Sequence, residues 1–98
     1  MNSVEVRGTD LRYLLTAYLF DHGEATVAEL IEALDYHGFS VVAPSAVLEA
    51  LGHETAQGRV RRLRHGRYGP VAMPRTTRYR MNRRVLALHA RVADLPAA

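Results

Sequence analysis

The thirteen residues from Arg59 to Val71 constrain this chain more than any other stretch: Arg-Val-Arg-Arg-Leu-Arg-His-Gly-Arg-Tyr-Gly-Pro-Val. Two short runs anchored by Val60, Leu63, Tyr68 and Val71 flank the pair His65-Gly66, and Gly66 can take the positive φ that a tight turn needs. The pattern predicts a β-hairpin. With His65-Gly66 as a two-residue loop, Arg64 faces Arg67, Leu63 faces Tyr68 and Val60 faces Val71. The Leu63–Tyr68 and Val60–Val71 pairs then lie on opposite faces, the first holding the tip and the second closing on the rest of the domain. Pro70, which cannot donate a ladder hydrogen bond, marks the second run as an edge strand.

The charge is distributed as unevenly as the hairpin suggests. Residues 1–58 carry nine acids against Arg7 and Arg12, a net −7, whereas residues 59–98 carry eleven arginines against Asp94, a net +10. All thirteen basic residues are arginine. A GC-rich genome accounts for arginine in place of lysine but not for its concentration in one half. Such a block implies a polyanion-binding surface or an electrostatic partnership with the acidic half. Five arginines within nine residues of a projecting hairpin repel one another unless a polyanion covers them. Isolated surface ion pairs, worth about 0–1 kcal/mol each, do not offset that.

The 98 residues make one domain with a modest core. Cysteine is absent, which excludes disulfides and thiolate sites. No apolar run approaches the roughly 18 residues of a membrane span, and the stretch Met1-Asn2-Ser3-Val4-Glu5 lacks the regions of a signal peptide. The expectation is a cytoplasmic, nucleoid-associated protein without membrane contact.

Before the hairpin, hydrophobic periodicity predicts three helices. Residues 1–8 read as a loose arm ending at Gly8. Thr9 or Asp10 can cap a helix to about His22, with Leu11, Leu14, Leu15, Tyr18 and Leu19 as its stripe and Gly23 as its stop. Glu24-Ala25-Thr26 is a link able to donate a one- or two-residue strand. Thr26-Val27-Ala28-Glu29 matches a capping box, and the helix it opens buries Val27, Leu30, Ile31 and Leu34 before ending at Gly38. Glu29, Glu32 and Asp35 form a solvated face. Phe39–Ala43 reads as a connector. Pro44 fits the first turn of a third helix, with Ser45 available as a cap, running to about Gln57. A helical wheel sets Val47, Leu48, Leu51 and Thr55 on its inner side and Ser45, Glu49, His53 and Gln57 on its outer side. Gly52 within it suggests close packing or an early end.

After Pro74, Thr76 or Thr77 can cap a last helix to about Asp94. Met81, Val85, Leu88 and Val92 form one apolar seam, with Tyr79 and Leu86 projecting away from it and Arg80, Arg84 and Arg91 making a basic stripe. Two apolar patches on a terminal helix point to packing against its own domain with one and against a second subunit with the other. A homodimer is expected, built from Tyr79, Met81, Val85, Leu86, Leu88 and Val92.

Chemistry-bearing motifs are missing. The histidines at 22, 37, 53, 65 and 89 show no metal-ligand spacing. There is no glycine-rich phosphate loop and no nucleophile motif. Neither an enzyme nor a bound cofactor is expected.

The order helix, short link, capped helix, connector, third helix and basic hairpin resembles the winged helix-turn-helix DNA-binding domain. The likeness covers Thr9 to Val71. Thr76–Asp94 would be an appended dimerisation helix. The segment Gly58-Arg-Val-Arg-Arg-Leu-Arg-His-Gly-Arg-Tyr-Gly-Pro, followed by Met73-Pro-Arg-Thr-Thr, also looks like small arginine-rich regulators of actinobacteria. The resemblance implies an α+β, mostly helical chain: an arm over 1–8, a winged helix-turn-helix domain over 9–73 and a C-terminal helix over 74–98. It implies a sequence-specific double-stranded DNA-binding protein that regulates transcription. Helix 3 would enter the major groove through Ser45, Glu49, His53 and Gln57, and the wing would grip phosphates or the minor groove. Glutamine can pair with adenine, histidine can donate to guanine, and glutamate can accept from cytosine. Helix 3 has no arginine, and Glu49 and Glu54 oppose phosphates. Affinity is therefore assigned to Arg59, Arg61, Arg62, Arg64, His65 and Arg67, with Arg75 and Arg78 flanking. The alternative is a winged-helix module that docks an acidic protein partner; RNA is a third reading, without an aromatic stacking platform to recommend it.

Overall fold

The computed structural model describes residues 2–96. The chain is α+β and mostly helical, with four helices and a small three-stranded antiparallel sheet. No described helix is long and apolar enough to cross a membrane.

Residues 4–6 are not part of a loose arm. β1 (Val4–Glu5) pairs in parallel with β3 (Phe39–Ser40), Val4 opposite Phe39. Val4 N–H donates to the Gly38 carbonyl and Val6 N–H to that of Ser40, both at 2.9 Å. Val4 and Val6 are buried and Glu5 is exposed. The alternation Val-Glu-Val is the period-2 signature of a strand with one face on the core. It was too short to stand out. The connector over 39–43 becomes partly a strand for the same reason.

α1 (Gly8–His22) buries Leu11, Leu14, Leu15 and Leu19, as its stripe requires. Neither Thr9 nor Asp10 caps it: Arg7 stands at the cap without a side-chain bond, and the Asp10 carboxylate is taken by Arg84. β2 (Ala25–Thr26) leads into α2 (Val27–Tyr36) through the expected capping box. Glu29 N–H donates to Thr26 Oγ1 at 3.1 Å and Thr26 N–H to Glu29 Oε1 at 2.8 Å. Past the end of α2, Gly38 adopts φ +87°, and a Cβ there would lie 2.5 Å from Val92 Cγ1. Glycine thus turns the chain and lets the last helix approach.

α3 (Pro44–Ala56) begins with Pro44 in its first turn, after Ala43 as N-cap; Ser45 makes no cap bond. Its inner face is Val47, Ala50, Leu51 and Glu54, not Val47, Leu48, Leu51 and Thr55. Leu48 is 52% exposed, and the Thr55 hydroxyl donates back to the Leu51 carbonyl at 2.7 Å. A Cβ on Gly52 would meet nothing within 4 Å, so this glycine serves no close packing.

β4 (Val60–Arg62) and β5 (Arg67–Pro70) form the expected hairpin with a register one residue away from expectation. Val60 lies opposite Pro70 and Arg62 opposite Tyr68. His65 and Gly66 both have positive φ, 59° and 69°, which makes the turn that their sequence predicts. The shift comes from the strand before it. Arg67 N–H donates to the Arg64 carbonyl, whereas the Arg67 carbonyl accepts from Leu63 N–H at 2.7 Å. Leu63 and Arg64 share one partner, which is a β-bulge. β5 is also the central strand, between β2 and β4, rather than an edge. Pro70 is tolerated because β2 pairs only as far as Tyr68. Val60, Tyr68 and Ala25 consequently share the buried face.

α4 (Arg75–Ala93) follows Pro74, with neither Thr76 nor Thr77 capping it. Met81 and Leu88 are buried and Val85 and Val92 packed at the edge of the core. The same core cluster includes Val4, Val6 and Leu88. Both the segment over 2–8 and the last helix therefore pack into the same core. They are not appendages to it.

Candidate nucleic-acid interface

The hairpin carries six of the residues expected to meet phosphate, and the structure divides them into two sets. Arg61, Arg62, Arg64 and His65 are exposed, and among the described residues none of the three arginines has a carboxylate oxygen within 4.0 Å. Arg61 and Arg62 are strand neighbours and so point to opposite faces. Arg61 shares the outer face with Leu63, which packs over Gly69: a Cβ at Gly69 would lie 3.0 Å from Leu63 Cδ1. Arg62 lies on the face of Tyr68, beyond the edge of the core. The cationic tip is therefore two-sided.

Arg59 belongs to a different structure altogether. α3 closes with a pair of bonds around a left-handed residue: Gly58, at φ +76°, donates to the Thr55 carbonyl at 3.1 Å, and Arg59 N–H donates to the Glu54 carbonyl at 3.0 Å. In this helix-ending motif the two residues at the Arg59 and Glu54 positions commonly make an apolar contact. Here they make an ion pair. Arg59 Nε donates to Glu54 Oε1 at 3.0 Å and Nη2 to Oε2 at 2.7 Å. The buried Thr16 hydroxyl donates to Oε1 at 2.7 Å. His53 Nδ1 lies 3.4 Å and Arg12 Nε 3.9 Å from Oε2. Glu54 is completely buried. Burial pushes its carboxyl up, but the bonds from Arg59 and Thr16, the Arg59 charge and the His53 contact outweigh that and leave it below the ordinary glutamate range. Glu54 does not stand on the surface of α3 to oppose phosphate, and Arg59 is not a free hairpin cation. The sequence held the signal: Glu54 stands seven residues after Val47 and three after Leu51, on their face.

Arg67 is likewise engaged. Its Nε donates to Glu24 Oε1 at 3.3 Å, and Nη2 lies 3.7 Å from Glu29 Oε1. These contacts tie the turn end of the hairpin to Glu24 and to the start of α2. The bond from the Thr26 amide, with further help from the Thr26 hydroxyl and Arg67, holds the Glu29 carboxyl below its usual range against a small opposing effect of burial.

On α3, Ser45, Glu49, His53 and Gln57 are all exposed. With Glu54 neutralised inside, Glu49 is the one surface carboxylate on this helix. Glu49 and His53 border a cleft with Arg7 and Arg12 at the start of α1. Arg75 is exposed, and Arg78 lies 4.3 Å above the ring of Phe20. Arg84, expected in the basic stripe, grips Asp10 with Nε–Oδ1 at 2.8 Å and Nη2–Oδ2 at 3.0 Å. The Arg84 hydrogen bonds hold the Asp10 carboxyl below its usual value, against the opposing effect of burial and with the charges of Arg84 and Arg91 helping.

Of the six residues expected at a dimer interface, Met81 and Leu88 are buried inside their own chain and Val85 and Val92 partly so. Tyr79 and Leu86 stand 64% and 69% exposed. The first seam is therefore an intrachain one, and a partner could use only the second.

Comparison with protein-family models, curated proteins and solved structures finds no match to this chain.

Proposed function

We propose that this chain is a winged helix-turn-helix protein that binds double-stranded DNA in the cytoplasm and regulates transcription. The observation that carries this reading is the selectivity with which the hairpin's cations are used. Arg59 and Arg67 are committed to carboxylates, whereas Arg61, Arg62 and Arg64 stand exposed on the first strand and turn of the hairpin without one. Three uncompensated guanidiniums spread over both faces of one short hairpin suit contact with several phosphates. Ser45, Glu49, His53 and Gln57 on the outer side of α3 are the candidates for base contacts. A dimer, if formed, would use Tyr79 and Leu86, beside which Arg80 and Arg83 also stand.

The reading is tested by fluorescence anisotropy of the full chain against genomic DNA fragments over a salt series. Three phosphate contacts per chain predict a log–log slope of about −2.7, since each contributes roughly −0.9. Replacing Arg61, Arg62 and Arg64 together by alanine should remove most of that slope. His53→Ala or Gln57→Ala should change sequence preference more than salt dependence. Absence of binding at low salt, or capture of an acidic protein that survives nuclease treatment, would favour the protein-docking alternative.

A further inference from the structure

At the junction of α1, α2 and α4 lies a cleft of about 180 Å3, partly open to solvent. Its buried walls include Leu15, Leu30, Leu34 and Phe39. Three imidazoles line it, those of His22, His37 and His89; His89 from α4 lies edge-on to His37 at 5.5 Å between ring centroids and to Phe39 at 5.2 Å. Among the described residues only His53 makes a histidine side-chain hydrogen bond, so the ring nitrogens of His37 and His89 have no protein partner. No group of three His, Asp or Glu side chains among the described residues is arranged to hold a metal ion.

These features define a ligand. An apolar cavity of roughly 150 Å3 is enough to hold one benzene ring. Small-molecule sites combine such apolar walls with a few convergent polar groups. Burial, and secondarily the neighbouring His37, holds the half-buried His89 below the ordinary histidine value. A neutral imidazole keeps one nitrogen as a hydrogen-bond acceptor. Asp21, also lining the cleft, disfavours an anion there.

We propose that this cleft binds a small, neutral, single-ring aromatic molecule bearing one hydrogen-bond donor, its ring against Leu15, Leu30 and Phe39 and its donor directed to His89. The ligand would bridge the last helix to the first two. The inference is independent of DNA binding, and its test contains no nucleic acid.

The experiment is a backbone-amide NMR titration of the full chain with three probes: phenol, toluene as the ring without a donor, and benzoate as the anion. Phenol should give saturable shifts confined to α1, α2, β3 and α4, and should bind about three- to tenfold more tightly than toluene, the range one net hydrogen bond supplies. His89→Phe should erase that preference while toluene still binds. Ala33→Leu, which fills the cleft from α2, should weaken both at least about tenfold. Non-saturating or scattered shifts, equal binding of phenol and toluene to the unaltered chain, tighter binding of benzoate, or indifference to Ala33→Leu would each overturn the proposal.

Discussion

Arg59 is bonded to Glu54 by both its main chain and its side chain. The amide closes the end of α3 on the Glu54 carbonyl at 3.0 Å, and the guanidinium grips the Glu54 carboxylate at 3.0 and 2.7 Å. The same residue that launches the hairpin therefore locks the helix before it. Removing one partner of a buried pair leaves the other uncompensated, an effect on the order of 3–5 kcal/mol. Arg59 is partly exposed and Glu54 keeps Thr16, so Arg59→Ala should destabilise the fold by about 2–3 kcal/mol, at the lower end of that effect or just below it. Urea unfolding checks the size. On the proposed DNA-binding reading, the salt slope in the folded fraction should not change, in contrast to that of the Arg61, Arg62 and Arg64 variant.

The pairing also sets an acid response. Glu54 and Asp10 have carboxyl groups held below their ordinary values. The unfolded chain thus binds protons first as pH falls, and the stability these groups contribute is full above their unfolded values. It should drain away as pH drops below the ordinary glutamate value of 4.5. Urea midpoints measured from pH 7 to pH 3 should fall in that window. Glu54→Gln should be less stable than the parent at pH 7 and show a shallower decline.

His89 acts in a separate window. Its folded form disfavours the proton, so stability should begin to fall as pH drops through the ordinary histidine value of 6.5. His89→Phe should abolish the part of the decline seen between about pH 7 and pH 5.5, measured by the same unfolding series.

Two glycines should respond with opposite signs. Gly52 is helical with open space where a Cβ would go, so Gly52→Ala should stabilise the protein by about 1 kcal/mol. Gly38→Ala should destabilise it by more than about 1–2 kcal/mol, the conformational penalty alone, because the new methyl also meets Val92. Thermal unfolding of the two variants gives the comparison directly.

The two sides of α4 should be equally distinct. Leu88 is fully buried, and Leu88→Ala should cost about 2–5 kcal/mol. Leu86→Ala, on the exposed side, should stay within about 0.5 kcal/mol for the monomer. Sedimentation velocity of Leu86→Ala and Tyr79→Ala would reveal whether these side chains hold a second subunit together.

Helix existence was legible because long amphipathic stripes such as Leu11–Leu19 and the Thr26–Glu29 capping box are local signals. The hairpin turn was legible from His65-Gly66. What escaped was decided at a distance. Val4 becomes a strand residue only because Phe39 lies beside it. Asp10 is not the cap of α1 because the helix starts two residues before it, at Gly8, and its carboxylate is instead held by Arg84, 74 residues away. The basic candidates looked alike as a string, and the fold separated them: Arg59 and Arg67 found acids, and Arg61, Arg62 and Arg64 did not. The charge of Glu54 suggests an exposed residue, but its position on the wheel with Val47 and Leu51 sets it inside.

The bulge at Leu63 and Arg64 makes the hairpin sensitive to counting. Remove one residue from its first strand and nearly every arginine survives, but alternation inverts: either Val60 leaves the core or the tip turns over. Composition and facing of the hairpin are thus separable traits. Among chains of this kind, a single-residue change in hairpin length would matter more than an exchange of one arginine for another cation.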